Sequence, residues 1–237
     1  MMQPERAIAH VASLATGEPV DPSLRVTMHF HPDRLVSGAP ILELMARDGV
    51  YRSQFETGTS NGGLTAHPGG DRWRWESRIF AGAYDHAPAA DRPRYGSLNF
   101  RRRQVGGSPR FGSAHLRLAG HTLDRATFCY PDSVLAPRHF GVASRLSTLI
   151  AVAEADHTDL LDDYIEAHVH GVVDLGRDVE ALVLDPCYRN TPDGDRGQAI
   201  GLPDRMARRV RPDHCRATPT PGIPRAGIRA ARHGSRP

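Results

Sequence analysis

A chain of 237 residues with 39% hydrophobic and 24% charged content has the composition of a globular protein with one sizeable core, and it holds no apolar run near the ~20 residues of a membrane span. Its three widely spaced cysteines argue against a disulfide framework and a zinc knuckle, and its start carries an acid and no apolar stretch, so a cytoplasmic protein without a secretory signal is expected. All 30 basic residues are Arg, but residues 204–237 hold nine of them against two Asp; the remainder is mildly acidic, which argues against a nucleic-acid-binding body despite a pI near 9.0.

Ala7, Ile8, Val11 and Leu14 fall at helical spacing, so Pro4 to Leu14 reads as a helix, and residues 1–24 as an N-terminal helix and turn. Arg25 to His31 alternates strictly. It predicts a strand with Arg25, Thr27, His29 and His31 on one face and Val26, Met28 and Phe30 on the other. Pro40 to Gly49 predicts a helix, with Pro in its first turn and Gly as its stop. From Val50 to Phe128 helical periodicity is nearly absent, and brief strands are read at Tyr51 to Thr57, Arg94 to Phe100 and Ala114 to Leu118. A helix is expected over Val142 to Ala153, then strands over Tyr164 to Val173 and Val179 to Leu184, joined by a turn near Gly176. Beyond about Pro192 the Arg-, Pro- and Gly-rich composition has no apolar period, so residues 192–237 are read as a disordered basic tail, the one segment with any claim on RNA. The sum is an α+β fold, a single domain over residues 25–191 with short, mainly antiparallel strands and a few helices.

The second alternating strand is as chemically loaded as the first: Tyr164, Glu166, His168 and His170 oppose Ile165, Ala167 and Val169. Two such faces predict a shared polar cleft, with Glu166 and at least one of His29 and His31 pointing into it. Glu166 is the first candidate for a catalytic group, because a carboxylate fixed on a strand can stabilise a developing cation or orient a hydroxyl; an ion pair with one of the many Arg is the plainer reading. The two His-x-His pairs also admit a metal site built from His29, His31, His168 and His170, although no Cys/His cluster completes it. Phe55 to Gly63 offers hydroxyls, an amide and three glycines, so Ser60, Asn61 and Gly62 are candidate ligand-binding residues; a plain turn explains them equally. Arg72 to Arg78 alternates as well and, if extended, forms either an ion-pair ladder or a phosphate contact. Gly106 to Ser113 is a further Gly/Ser loop without a nucleophile elbow.

Five segments in order, His29 to Arg34, Tyr51 to Gly63, Tyr95 to Arg103, Arg110 to Arg117 and Tyr164 to Gly171, resemble an uncharacterised bacterial family, domain of unknown function 3626, over roughly residues 5–192. That resemblance brings no activity. The layout of a His-bearing strand, a helix, a Gly-Ser/Thr loop and a late Glu-bearing strand resembles ADP-ribosyltransferases. In those enzymes a His or Arg on the first strand holds the NAD ribose and amide region, a Tyr or Ser borders the nicotinamide, and a late Glu bonds the ribose hydroxyl. The resemblance assigns these roles to His29 or His31, to Tyr51 or Ser60, and to Glu166. The chain departs from the usual His-Gly-Thr pattern, since Pro32-Asp33 follows His31.

The leading expectation is therefore an enzyme that binds NAD, a small-molecule nucleotide substrate, and transfers or hydrolytically releases ADP-ribose. One alternative is a metal-dependent hydrolase using the two His-x-His strands. The other is a non-catalytic nucleotide- or protein-binding domain.

Overall fold

Strict alternation in several short segments builds one sheet with two unlike faces. In the computed structural model, which describes residues 2–58, 66–156 and 158–206, the chain opens with α1 (Gln3–Leu14) and β1 (Val26–Phe30). A small ribbon of β2 (Leu35–Val36) and β3 (Ala39–Pro40) follows, then α2 (Ile41–Asp48), β4 (Val50–Tyr51), α3 (Gln54–Thr57) and α4 (Asp71–Ile79). The strands β5 (Arg94–Leu98), β6 (Ala114–Leu118), β7 (Ala126–Tyr130) and β8 (His139–Val142) lead to α5 (Ser147–Ala155). The described chain ends with β9 (Ile165–Val169), β10 (Val173–Asp174), α6 (Leu175–Asp178), β11 (Val179–Leu184), α7 (Pro192–Ala199) and β12 (Asp204–Met206).

Eight strands lie in the order β12-β11-β6-β1-β5-β9-β7-β8, antiparallel except for the parallel β11/β12 pair. One face of this sheet is the main core. Val26, Met28, Phe30, Leu98, Leu116, Phe128, Ile165, Val169 and Leu182 pack there against Leu42 and Met45 of α2 and Leu149 and Ala153 of α5. The opposite face is polar yet also buried. Cross-strand register aligns Arg117, Thr27, Ser97, Glu166 and Cys129 in one row over five strands, and Tyr95, His168 and Thr127 in the next. A second apolar cluster covers one end of this face: Ala7 and Val11 of α1 meet Ile79, Phe80, Tyr84 and Val142. Phe80 presents its ring edge-on to His168 and His170, with centroids 5.2 and 5.3 Å apart.

The α+β class and the antiparallel bias are as the sequence predicts, β1 and β9 form where alternation places them, and β6 and β11 form over the segments read as strands. Several local expectations need correction. Tyr51 to Thr57 is mostly helical, because Ser53 and Glu56 cap α3 reciprocally, a Ser-x-x-Glu signal that overrides its short alternation. Arg72 to Arg78 is not extended but lies in α4, where Arg72, Glu76 and Ile79 share the buried side at helical spacing. Val142 ends β8, and the helix expected from that point begins only at Ser147. The tail does not begin at 192: Thr191 caps α7 through Gly194 N–H, Pro192 occupies the first turn, and β12 extends the sheet beside β11. The rest of the predicted tail, 207–237, lies outside the described residues.

Candidate active site on the polar face of the sheet

Glu166 sits on β9 between Ser97 and Cys129 of the neighbouring strands, 7% exposed, so its carboxylate must find partners on the sheet face. His168 Nε2 donates to Oε1 at 2.8 Å, Ser133 Oγ donates to Oε2 at 3.1 Å, and the Cys129 thiol lies 3.8 Å from Oε1. Burial alone would raise the carboxyl's pKa. The His168 hydrogen bond and charge, the Arg72 charge and the Ser133 hydroxyl outweigh burial and hold it below the usual carboxylate range.

Behind Glu166 runs a buried chain of hydrogen bonds. His168 Nδ1 lies 3.2 Å from Thr127 Oγ1, Thr127 Oγ1 lies 3.0 Å from His170 Nε2, and His170 Nδ1 lies 2.7 Å from the Tyr84 hydroxyl. Burial lowers His170 to about 3, so that ring is neutral. One arrangement of hydrogens gives every group a partner: Tyr84 donates to His170, His170 to Thr127, Thr127 to His168, and His168 to Glu166. The chain thus orients Glu166 through His168.

The cleft in front of Glu166 is small, with a cavity volume of about 50 Å³. Tyr51, Tyr95, Phe111 and Tyr164 supply aromatic surface there, Arg72 and Gln54 supply polar groups, and His29 and Ser108 form the far wall. Tyr51 and Gln54 also border a larger cleft of about 170 Å³, lined on its other sides by apolar residues of α2, by Arg34, Arg47 and Arg52 and by Asp48 and Glu56. His29 and Glu166 thus meet at one cleft, as their matching strand patterns predict. His31, half-buried beyond the end of β1, does not line it, and Ser60, Asn61 and Gly62 lie outside the described residues.

His29 has a structural task that its sequence position did not reveal. Its Nδ1 donates to Gly112 O at 2.9 Å, and its Nε2 accepts from Ser108 N at 3.2 Å. The Gly107 N–H reaches Thr27 Oγ1, and Ser108 Oγ reaches Ser97 Oγ, so the loop from 106 to 112 is pinned to the polar face. Glycine is required at two points of this contact. At Gly106, with φ +84°, a Cβ would stand 2.3 Å from His29 Nε2, and at Gly112, with φ +143°, it would stand 2.1 Å from Phe30 O. Burial lowers the His29 pKa to about 4, so the ring is a neutral anchor whose nitrogens already bond the cleft wall.

The proposed four-histidine metal set does not assemble. Among the described residues, the one group of His, Cys, Asp and Glu side chains whose ligand atoms lie within 4.8 Å of one another is Cys129, Glu166 and His168. Such a set suits a thiophilic divalent ion, with Thr127 behind His168 and Ser133 behind Glu166 as supporting partners.

Sequence reasoning missed Cys129, Thr127, Tyr95, Ser133 and Arg72 as neighbours of Glu166. A signal existed for two of them, since Ala126 to Tyr130 alternates and puts Thr127 and Cys129 on one face. No helix among the described residues is long and apolar enough to cross a membrane. A search among curated proteins finds no match. The family model described as a protein of unknown function, DUF3626, matches residues 25–155 and 142–207, and the chain belongs to that family.

Proposed function

We propose that this protein binds NAD and transfers ADP-ribose to an acceptor or to water, with Glu166 as the catalytic carboxylate. The observation that carries the reading is the meeting of Tyr51, His29 and Glu166, from three distant segments, at one aromatic-walled cleft. Cleavage of the nicotinamide–ribose bond leaves its electron pair on nicotinamide and develops positive charge on the ribose, as in glycoside chemistry. An ionised Glu166 stabilises that charge and accepts a hydrogen bond from a ribose hydroxyl; the incoming acceptor forms the new bond and releases its proton. The ring faces of Tyr51 and Tyr164 suit a cationic aromatic ring. The remainder of a dinucleotide would extend toward the adjoining larger cleft, which carries Arg34, Arg47 and Arg52, the last two paired with Asp48. His29 acts in this scheme by fixing the loop from 106 to 112 as the far wall.

The test is nicotinamide release and its loss in Glu166→Gln. The substitution keeps shape and removes charge, so turnover should fall by about a thousandfold or more while NAD affinity changes by less than about tenfold. A folded parent protein that neither binds nor cleaves NAD at millimolar concentration, or a Gln variant that cleaves it like the parent, would sink the reading. Binding without cleavage would leave the nucleotide-binding module.

The Cys129, Glu166 and His168 cluster favours a second reading, a metal-dependent hydrolase in which a bound ion activates water. Zinc bound stoichiometrically by the purified protein and lost in Cys129→Ser would decide for it.

A further inference from the structure

Arg72 is a buried cation of the cleft that makes no ion pair among the described residues, although Glu76 and Glu166 both lie within range of its charge. It is 6% exposed, and its Nε and Nη1 are buried without a hydrogen-bond partner. The guanidinium lies flat over the Tyr95 ring, with its carbon 4.0 Å from the centroid, and 5.7 Å from the Trp75 centroid. Its natural partner would be Glu76, four residues along the same helix. That carboxylate is already taken by Arg92 Nη1 and by the Tyr95 hydroxyl at 3.1 Å. Glu166 shares the cleft with Arg72 and is within range of its field but forms no ion pair with it. Across the same cleft Gln54 Oε1 is also buried without a partner.

A buried cation without an ion pair is costly in ordinary folds, and unpaired buried polar atoms are rare enough to require a reason. Here Arg72 Nε and Nη1 and Gln54 Oε1 border one cleft. We infer that Arg72 is an oxyanion-binding residue, which takes a phosphate or carboxylate group of the ligand while the Tyr95 face holds its guanidinium in place. Arg suits this task better than Lys, because its planar head can stack on Tyr95 and still donate from its edge. The cleft is then charge-paired for a ligand with a cationic centre toward Glu166 and an anionic group toward Arg72. The inference rests on the NAD reading only in placing the ligand in this cleft.

The test is direct binding of two small probes, inorganic pyrophosphate for the phosphate source and nicotinate for the carboxylate source, with uncharged nicotinamide as control. Both tryptophans of the chain, Trp73 and Trp75, lie on α4 beside Arg72, so their emission reports an anion there without any label. One charged probe should give a saturable change, weakened about ten- to hundredfold in Arg72→Gln and less in Arg72→Lys. The probe that binds identifies the source. Failure of both charged probes, or equal binding by parent and Arg72→Gln, would overturn the inference. If Arg72→Gln does not fold, the emission titration of the unmodified protein and the Lys variant still decide. Anion binding at Arg72 without NAD cleavage would sink the NAD reading alone, whereas NAD cleavage with no Arg72-dependent anion binding would sink this inference alone.

Discussion

The two faces of the eight-stranded sheet are both buried, yet they are stabilised in opposite ways. On the apolar face, Met28, Phe30, Leu116 and Phe128 need no specific partners and stabilise by removing area from water, about 25 cal/mol per Å². On the polar face Thr27, Ser97, Glu166, His168 and Thr127 are as deeply buried, and nearly every donor or acceptor must find a directed bond. The loop from 106 to 112 and the cluster of Phe80 and Tyr84 keep water out, while His29, Ser133 and the Tyr84 hydroxyl supply bonds. The lesson is that a costly polar face persists where it surrounds a cleft. Arg72 Nε and Nη1 and Gln54 Oε1 lack partners at the cleft, as His115 Nδ1, Ser113 Oγ and Asp163 Oδ1 do elsewhere.

Substitutions on the two faces should break this comparison in different ways. Phe128→Ala, in the centre of the apolar face, should cost ~3–5 kcal/mol in urea unfolding without altering ligand chemistry. A cost under about 1 kcal/mol would mean that this face is not the main core.

Acid should act through the polar face. Burial lowers His29 to about 4 and His170 to about 3, from 6.5, so the unfolded chain binds more protons and stability is lost as pH falls from 6.5 toward 4. Glu76 works in the opposite sense. Burial, against its Arg92 partner, pushes its carboxyl up to about 7, so the folded state gains from its protonation as pH falls from 7 to 4.5. The lowered rings, His31 and His115 among them, outweigh Glu76 and the raised Asp132, and unfolding measured across this range should show a net loss of stability by pH 4. A flat profile would show that the rings are not held neutral.

Ending the chain at Thr191 removes α7 and β12, and with them Ile200 and Leu202, which pack against the main core. The shortened chain should lose about 2 kcal/mol, read as a melting temperature lower by several degrees. An unchanged melting temperature would show that this end of the sheet is dispensable. The mildest expected effect is that of Thr127→Val, which keeps the shape but leaves His168 Nδ1 and His170 Nε2 without their shared partner. It should cost ~1 kcal/mol and lower nicotinamide release through misorientation of His168 and Glu166. Normal release by this variant would remove the hydrogen-bonded chain from the mechanism.

Local sequence determined the elements whose pattern has one reading. Alternation placed β1 and β9 and told their apolar sides from their polar ones, because a strand's period of two leaves no other way to bury Val26, Met28 and Phe30 together. It also singled out Glu166 and His29. Patterns with two readings were decided by capping or tertiary contact: Arg72 to Arg78 alternates yet coils into α4, and the Pro- and Gly-rich start of the supposed tail is a capped helix against the sheet. The cleft itself belongs to tertiary structure alone. Register sets Cys129 beside Glu166, and packing gives Glu76 to Arg92 rather than to Arg72, and neither contact between distant segments has a local signal.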